Sequence, residues 1–447
     1  MLNDTIAAIS TPSGRAGIGV IRVSGQNAIE VAQIVTGKEL KDRAPALCNI
    51  RDRNNQILDE VIVILYAAPR SYTGENLIEI QCHGNPIILN EIIALCCARG
   101  ARPANPGEFT ERAFRNGKLS LEKAEAVADL INSQSLRAVR SARRSLSGTF
   151  SKKISLILTL LKNSLIQIEA SIDFSEVSVG DTTRSLKDNL EKQKLELENL
   201  ISDAKRGVKL SMGLQVVLAG RPNVGKSSLL NSLSSSNRAI VSEQPGTTRD
   251  TVDVSLELNG NVLKIIDTAG IRENADDIEK EGINRTKEAI QLSDLVLLII
   301  DNTDDLNYIN ETLKSIGLEK YKNKSMIVLN KIDKMKEYKK ALNNKKNIVG
   351  VSALTGEGMT TLADMITSYL APEEEAETEF IARARHIIAL ECALSELGNI
   401  SNLITNSNPE LLAEHYKISI NFLSQITGDY STEDLLGDIF SKFCIGK

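Results

Sequence analysis

The sequence predicts three architectures in one chain: an α+β N-terminal domain (residues 1–118), an all-α helical domain in two parts (119–211 and 372–447), and an α/β domain inserted between them (212–371). Three observations carry this reading. Short β-type runs, "AGIGVIRVSG", "EVIVILYAAP" and "NLIEIQCHG", lead into the apolar helical stretch "NPIILNEIIALCCARG". From Leu119 the texture turns to segments rich in Leu, Ala, Glu and Lys, and in "LKDNLEKQKLELENLISDAKRG" Leu186, Leu190, Leu197 and Ile201 recur along one helical face. Near Met212 the buried-strand run "LQVVLAG" begins an alternation of strands and helices that lasts to about Leu370, after which "APEEEAETEF" returns the chain to helices. Such an insertion needs its two ends close in space.

At 447 residues the chain exceeds a single domain of roughly 100–200 residues. Hydrophobic residues at 42% and charged residues at 25% leave little room for long disorder. With no Trp, 8 Phe and 8 Tyr, the cores must rest on Leu, Ile, Val and Ala. A net charge of -5 argues against a broad nucleic-acid coat but leaves room for a regional basic patch. The six cysteines lack metal spacing and fit a reducing cytosol, with buried thiols expected for all but Cys444. The start "MLNDTIAAIS" has no basic n-region, and no apolar run approaches ~18 residues, so a cytoplasmic protein without a membrane span is expected.

The inserted domain carries the chemistry. "GRPNVGKS" fits G-x-x-x-x-G-K-[ST] between a strand and a helix, the context in which backbone N–H groups turn inward around phosphate oxygens. Asn223, Val224, Gly225, Lys226, Ser227 and Ser228 form this loop and the helix start; Lys226 reaches the terminal phosphates and Ser227 ligates Mg²⁺. In "LKIIDTAG" Asp267 ends a strand and supports the Mg²⁺ shell, Thr268 and Ala269 follow, and Gly270 offers a backbone N–H to the γ-phosphate. "IVLNKID" supplies Asn330, Lys331 and Asp333, whose carboxylate accepts from the two guanine N–H groups that adenine lacks; Ser352 and Ala353 of "VSAL" complete the base site. This order resembles the translation-factor-related GTPases, a Ras-like P-loop G domain that binds GTP and GDP.

The switch residues depart from Ras. Ile271 holds the position of the water-orienting glutamine, while Thr248 in "SEQPGTTRD" is placed to close over Mg²⁺ and the γ-phosphate. Two groups can replace the glutamine: the side-chain oxygen of Asn223, holding a monovalent cation where an arginine finger would put its charge, or Glu279 in "ADDIEKEG". On chemistry alone Glu279 also reads as one solvated charge beside Asp276, Asp277 and Glu281.

Together "GRPNVGKSSLLN", "PGTTRD", "DTAGIRE" and the terminal "FCIGK" resemble the MnmE (TrmE) family of tRNA modification GTPases. The likeness extends along the whole chain, through "DTIAAISTPSGRAGIGVIRVSG", "SYTGENLIEIQCHG", "NPGEFTERAFRNGKLSLEKAEAVADLI" and "ITGDYSTEDLLGDIFSKFCIGK". The resemblance implies an N-terminal domain that binds tetrahydrofolate, as the 5-formyl or 5,10-methylene form, and dimerises. It also implies joint action with the flavoprotein MnmG, as a heterotetramer, to add an aminomethyl-type group such as carboxymethylaminomethyl at C5 of the wobble uridine, position 34, of certain tRNAs. FAD then belongs to the partner, and this chain has no G-x-G-x-x-G fingerprint followed by an acidic residue. By position, the resemblance implies folate contacts at Arg22, Glu79, Lys118 and Lys447, K⁺ ligands at Asn223, Ser242, Gln244 and Thr247, and a catalytic role for Glu279.

Cys444, four residues from the end, sits at the distance of a lipidation box, but "CIGK" offers Gly446 and Lys447 where aliphatic and small residues are wanted. The resemblance sets this tail beside the folate site, where the Cys444 thiolate can attack a uracil ring; a thiol packed beside Phe443 is the other reading. The run "RAVRSARRSLSGTFSKK", with Arg137, Arg140 and Arg144 on one face, is the best candidate for an RNA backbone contact, although a solvated face explains it too. Of the three scattered histidines, only His83 in "QCHG" falls near the expected folate site. A ribosome-assembly GTPase without base chemistry would share every G-domain motif, and a lipid-anchored signalling GTPase rests on Cys444 alone.

Overall fold

The computed structural model describes residues 4–173, 179–221, 223–236, 238–240, 253–259, 261–267, 289–291, 293–301, 323–334, 347–370, 380–404, 409–429 and 432–447. The chain divides into two compact units, one of Met1–Ala128, Ser145–Glu198 and Ile388–Lys447, the other of Asp129–Arg144 and Asn199–Ile387.

The first unit opens with a six-stranded sheet: β1 (Thr5–Ile9), β2 (Ala16–Ser24), β3 (Ala46–Arg51), β4 (Ile57–Tyr66), β5 (Leu77–Gly84) and β6 (Ala101–Pro103), in the order β3-β4-β5-β2-β1-β6. Alternation sets its faces: β4 buries Val61, Val63 and Leu65 and turns Glu60 and Ile62 outward. The buried face is covered by α1 (Ala28–Thr36) and α2 (Pro86–Cys97), with Ile21, Val23, Ile78, Ile80, Leu89 and Ile92 in its core. The Asn85 side chain accepts from the Ile87 N–H and Pro86 stands in the first turn, so α2 begins where its sequence says it should.

Helix α3 (Glu108–Arg115) supplies Arg112, whose side chain is 1% exposed and bonded to Asp4 at 2.7 Å, Glu108 at 3.0 Å and Glu75 at 3.2 Å. One guanidinium thereby ties the start of β1, the loop before β5 and α3 together. Breaking a buried network of this kind costs ~3–5 kcal/mol, so Arg112→Ala is expected to lower the melting temperature sharply; an unchanged melting curve would make the network incidental.

Next come α4 (Leu121–Asn132), α5 (Leu136–Leu146), α6 (Thr149–Asp173) and α7 (Val179–Met212), and near the end α10 (Ala384–Leu403), α11 (Pro409–Thr427) and α12 (Glu433–Phe440). Gln193 on α7 ties α6 and α11 together: its amide donates to the Leu160 carbonyl and Ser164 Oγ at 3.0 and 2.8 Å, and it accepts from the Tyr416 hydroxyl at 3.1 Å. α12 is held by Arg115 on Glu433 and packs Leu436, Ile439 and Phe440 on Leu121 and Ala124.

The second unit holds a seven-stranded sheet of β7 (Leu214–Ala219), β8 (Arg238–Ile240), β9 (Asp253–Leu258), β10 (Asn261–Asp267), β11 (Leu295–Ile300), β12 (Ser325–Leu329) and β13 (Ile348–Gly350). Its order is β13-β12-β11-β7-β10-β9-β8, parallel except where β9 meets β10 and β8. Val216 and Leu218 face one core, with α8 (Lys226–Ser236) and α9 (Met359–Leu370), while Val217 and Ala219 face the other. Burial on both faces is why "LQVVLA" and "LVLLII" read as unbroken apolar runs. The α+β, all-α and α/β parts expected from the sequence are all present.

Candidate functional site

Strand order in the second sheet reverses at β7, so the carboxyl ends of β7, β10, β11, β12 and β13 frame a crevice at a topological switch point. The loop after β7 fills it. A side chain on Gly225, at φ 96°, would collide with the Asn330 amide, so the loop can lie against the "NKID" turn only with glycine here. Asn223 stands in the left-handed region at φ 66°. Lys226, on the first turn of α8, is buried, and its ammonium donates to the carbonyls of Gly220 and Arg221 at 2.9 and 2.7 Å. Val224 is buried beneath the loop, while Ser227 and Ser228 are exposed on the same turn. The Ser227 hydroxyl next to Lys226 suits a Mg²⁺ ion, which this fold uses with its nucleotide.

The base side is as tightly tied. Asn330 donates to the Val224 carbonyl at 2.8 Å and accepts from the Ala353 N–H at 3.2 Å, joining three loops through one amide. Ser352 Oγ donates to Asp333 at 2.6 Å and steers that carboxylate. Lys331, at φ 62°, donates to the Asn223 carbonyl at 2.8 Å and to Asp301 at 2.7 Å. Sequence reasoning misses Asp301; its only signal is a carboxylate closing the apolar run of β11. It is 7% exposed and fixes the lysine that braces the phosphate loop. Charge-assisted bonds of this kind contribute ~1.5–3 kcal/mol, so Asp301→Ala is expected to speed GDP release about tenfold or more. A parental release rate in stopped-flow fluorescence would remove Asp301 from the site.

Asp267 ends β10, paired beside Leu218, as expected, and its backbone is all that is described. Ser242, Gln244, Thr247, Thr248, Thr268, Ala269, Gly270 and Glu279 lie outside the described residues.

A second polar centre lies in the first unit. A cavity of about 500 Å³ is lined by Arg43, Tyr66, Arg70, Ser71, Tyr72, Leu77, Glu79 and Lys118. Glu79 on β5 accepts from Arg22 on β2 at 2.9 Å, and the Arg22 guanidinium lies 5.9 Å from the centre of the Tyr72 ring. Lys118 reaches the Pro69 carbonyl at 3.0 Å on the cavity wall. The chain's last residue arrives here as well. Burial, reinforced by the charge of Arg22, holds the Lys447 ammonium below its usual pKa, while Cys444 and Glu79 act the other way.

The tail is seated by its backbone. Ser10 Oγ donates to the Gly446 carbonyl at 3.1 Å, the Gly107 N–H donates to the Cys444 carbonyl at 3.4 Å, and a side chain on Gly446 would strike the Ile9 carbonyl. Phe443 is buried and Cys444 exposed. Arg22, Glu79 and Lys447 are thus brought together, and Lys118 lines the same cavity as Glu79. His83 is not: it sits at the far end of β5, exposed and 2.7 Å from Asp59, outside the cavity lining, with three residues of extended strand between it and Glu79. Of the thiols expected to be buried, Cys48, Cys82 and Cys96 are, the last two pushed up to about 11 and about 12 chiefly by burial, whereas Cys97 and Cys392 are half-buried. Among the described residues no helix is long and apolar enough to cross a membrane.

Two family profiles match the chain. One, described as MnmE helical domain, spans residues 121–444, and the other, described as GTP-binding protein TrmE N-terminus, spans residues 5–118. The chain is 43% identical over 450 residues to the tRNA modification GTPase MnmE of Francisella tularensis subsp. holarctica (strain LVS), covering 99% of each. It is 41% identical over 452 residues to that of Xylella fastidiosa (strain 9a5c), covering 100% of this chain and 98% of the relative. With that of Coxiella burnetii (strain RSA 493 / Nine Mile phase I) the identity is 42% over 449 residues, 99% of each.

Proposed function

Because this chain belongs to the MnmE family of tRNA modification GTPases, we propose that it couples GTP hydrolysis to one-carbon chemistry at C5 of the wobble uridine of certain tRNAs. It works in the cytoplasm as a homodimer through residues 1–118, with the FAD-containing MnmG as partner, and the product is an aminomethyl or carboxymethylaminomethyl group. Residues 119–211 and 372–447 form the helical domain and 212–371 the G domain.

The observation that carries this reading is the meeting of Arg22, Glu79 and Lys447 beside a cavity that Tyr72 and Lys118 help to line. A carboxylate for pterin N–H groups and cations for a glutamate tail are what a tetrahydrofolate needs. Cys444 Sγ adding to C6 of the uracil would move the C5–C6 π pair to C5 and make C5 a carbon nucleophile, and once C5 is substituted, loss of its proton and departure of the thiolate would restore the ring; a folate held by Arg22, Glu79, Lys118 and Lys447 would supply the one-carbon unit. In a reaction with the flavoprotein, GTP and tRNA, label from the one-carbon group of tetrahydrofolate is expected in the wobble nucleoside. Label-free tRNA would overturn the proposal.

In the G domain Asn223 is the described member of the K⁺ ligand set, with Ser242, Gln244 and Thr247, and its backbone is already braced by Lys331. GTP hydrolysis is therefore expected to need K⁺ and to quicken as two G domains meet across their switches. Equal rates in Na⁺ and K⁺ at one ionic strength would sink this.

A further inference from the structure

Between Asp129 and Glu169 the sequence contains no Asp or Glu, in a chain of net charge -5. Helix α5 lies within that stretch, and its arginines 137, 140, 143 and 144 fall within about a third of the helix circumference at 3.6 residues per turn. The opposite face is small and packed: Ala138, Ser141, Ala142 and Ser145 are all buried. Arg140 and Arg143 are exposed, and among the described residues neither makes an ion pair. Arg137 is half-buried and donates to the Asn261 side chain at 3.3 Å, which orients the start of the row.

We propose that this arginine face of α5 is a docking surface for the phosphate backbone of tRNA, gripped chiefly by Arg140 and Arg143. The inference rests on the tRNA-modifying function proposed above. Four guanidinium groups in two helical turns, about 10 Å along the axis, concentrate positive charge over a length that meets more than one phosphate of a strand. Guanidinium forks match phosphate oxygens in pairs. The acid-free run of sequence around α5 places no neighbouring carboxylate along the helix to compete for Arg140 and Arg143. A lipid surface fits less well, since Leu136 is the one large apolar side chain that α5 exposes, too little to anchor it in a bilayer. The rest of the surface carries enough negative charge to keep the interaction regional.

The full-length protein is compared with Arg140→Gln/Arg143→Gln and with Arg140→Glu/Arg143→Glu, using an unmodified tRNA transcript and filter binding across a KCl series. Both sites are exposed, and unchanged melting temperatures verify the fold. The Gln pair is expected to weaken binding about tenfold or more, and to lower the slope of log K against log salt by about 2, roughly one for each phosphate no longer neutralised. The Glu pair is expected to weaken it further. Parental affinity and slope in both variants, or no measurable tRNA affinity in the parent, overturns the proposal. Variants that keep tRNA but no longer retain the flavoprotein also overturn it, as a protein interface. Wobble-uridine modification in cells is scored separately: if it persists when the gene is deleted, the proposed function fails rather than this surface.

Discussion

Replacing Cys444 by serine is expected to abolish wobble-uridine modification while leaving the fold and GTP hydrolysis intact. The thiol is exposed, yet it is presented from an anchored backbone, with Phe440 and Phe443 packed against Leu121 and Gly446 pressed onto the Ile9 carbonyl. Little packing therefore depends on the sulfur. A serine hydroxyl at neutral pH is a far weaker nucleophile toward C6 than a thiolate, and loss of a covalent nucleophile costs on the order of 10³-fold or more. Mass spectrometry of nucleosides from cells carrying only the variant reads the result. Normal amounts of the modified uridine would leave Cys444 a bystander of a well-seated tail.

Glu279→Ala is expected to slow GTP hydrolysis by ~10²-fold or more with nucleotide affinity nearly unchanged, since a water-orienting group acts mainly in the transition state. Ile271 cannot do what a glutamine does there, and Glu279 is the carboxylate that the family resemblance assigns to the task. Glu279 lies outside the described residues. Single-turnover hydrolysis separates it from binding; a variant with parental turnover would return Glu279 to the solvated charges around it.

How much of this is legible in the sequence depends on distance along the chain. The phosphate loop and the "NKID" turn are readable because each places its groups within a few residues of one strand end, and backbone geometry does the rest. Asp301 is not, because a lone carboxylate after "LVLLII" acquires meaning only when β12 brings Lys331 to within 2.7 Å. Nothing within "FTERAFRNG" marks Arg112 as buried, because its partners Asp4 and Glu75 come from far along the chain. The cavity walls likewise join Arg43, Tyr66 and Lys118 from three separate segments. The strand runs β2, β4 and β5 announce themselves by hydrophobic pattern, while β1 and the three-residue β6 give no alternation to read.

Binding of 5-formyltetrahydrofolate to the full-length protein at equilibrium tests the central claim most directly. The account predicts saturable binding that Glu79→Ala weakens about tenfold or more, through loss of the carboxylate that Arg22 now holds in place. No saturable binding by the parent, or equal binding by Glu79→Ala, would contradict it.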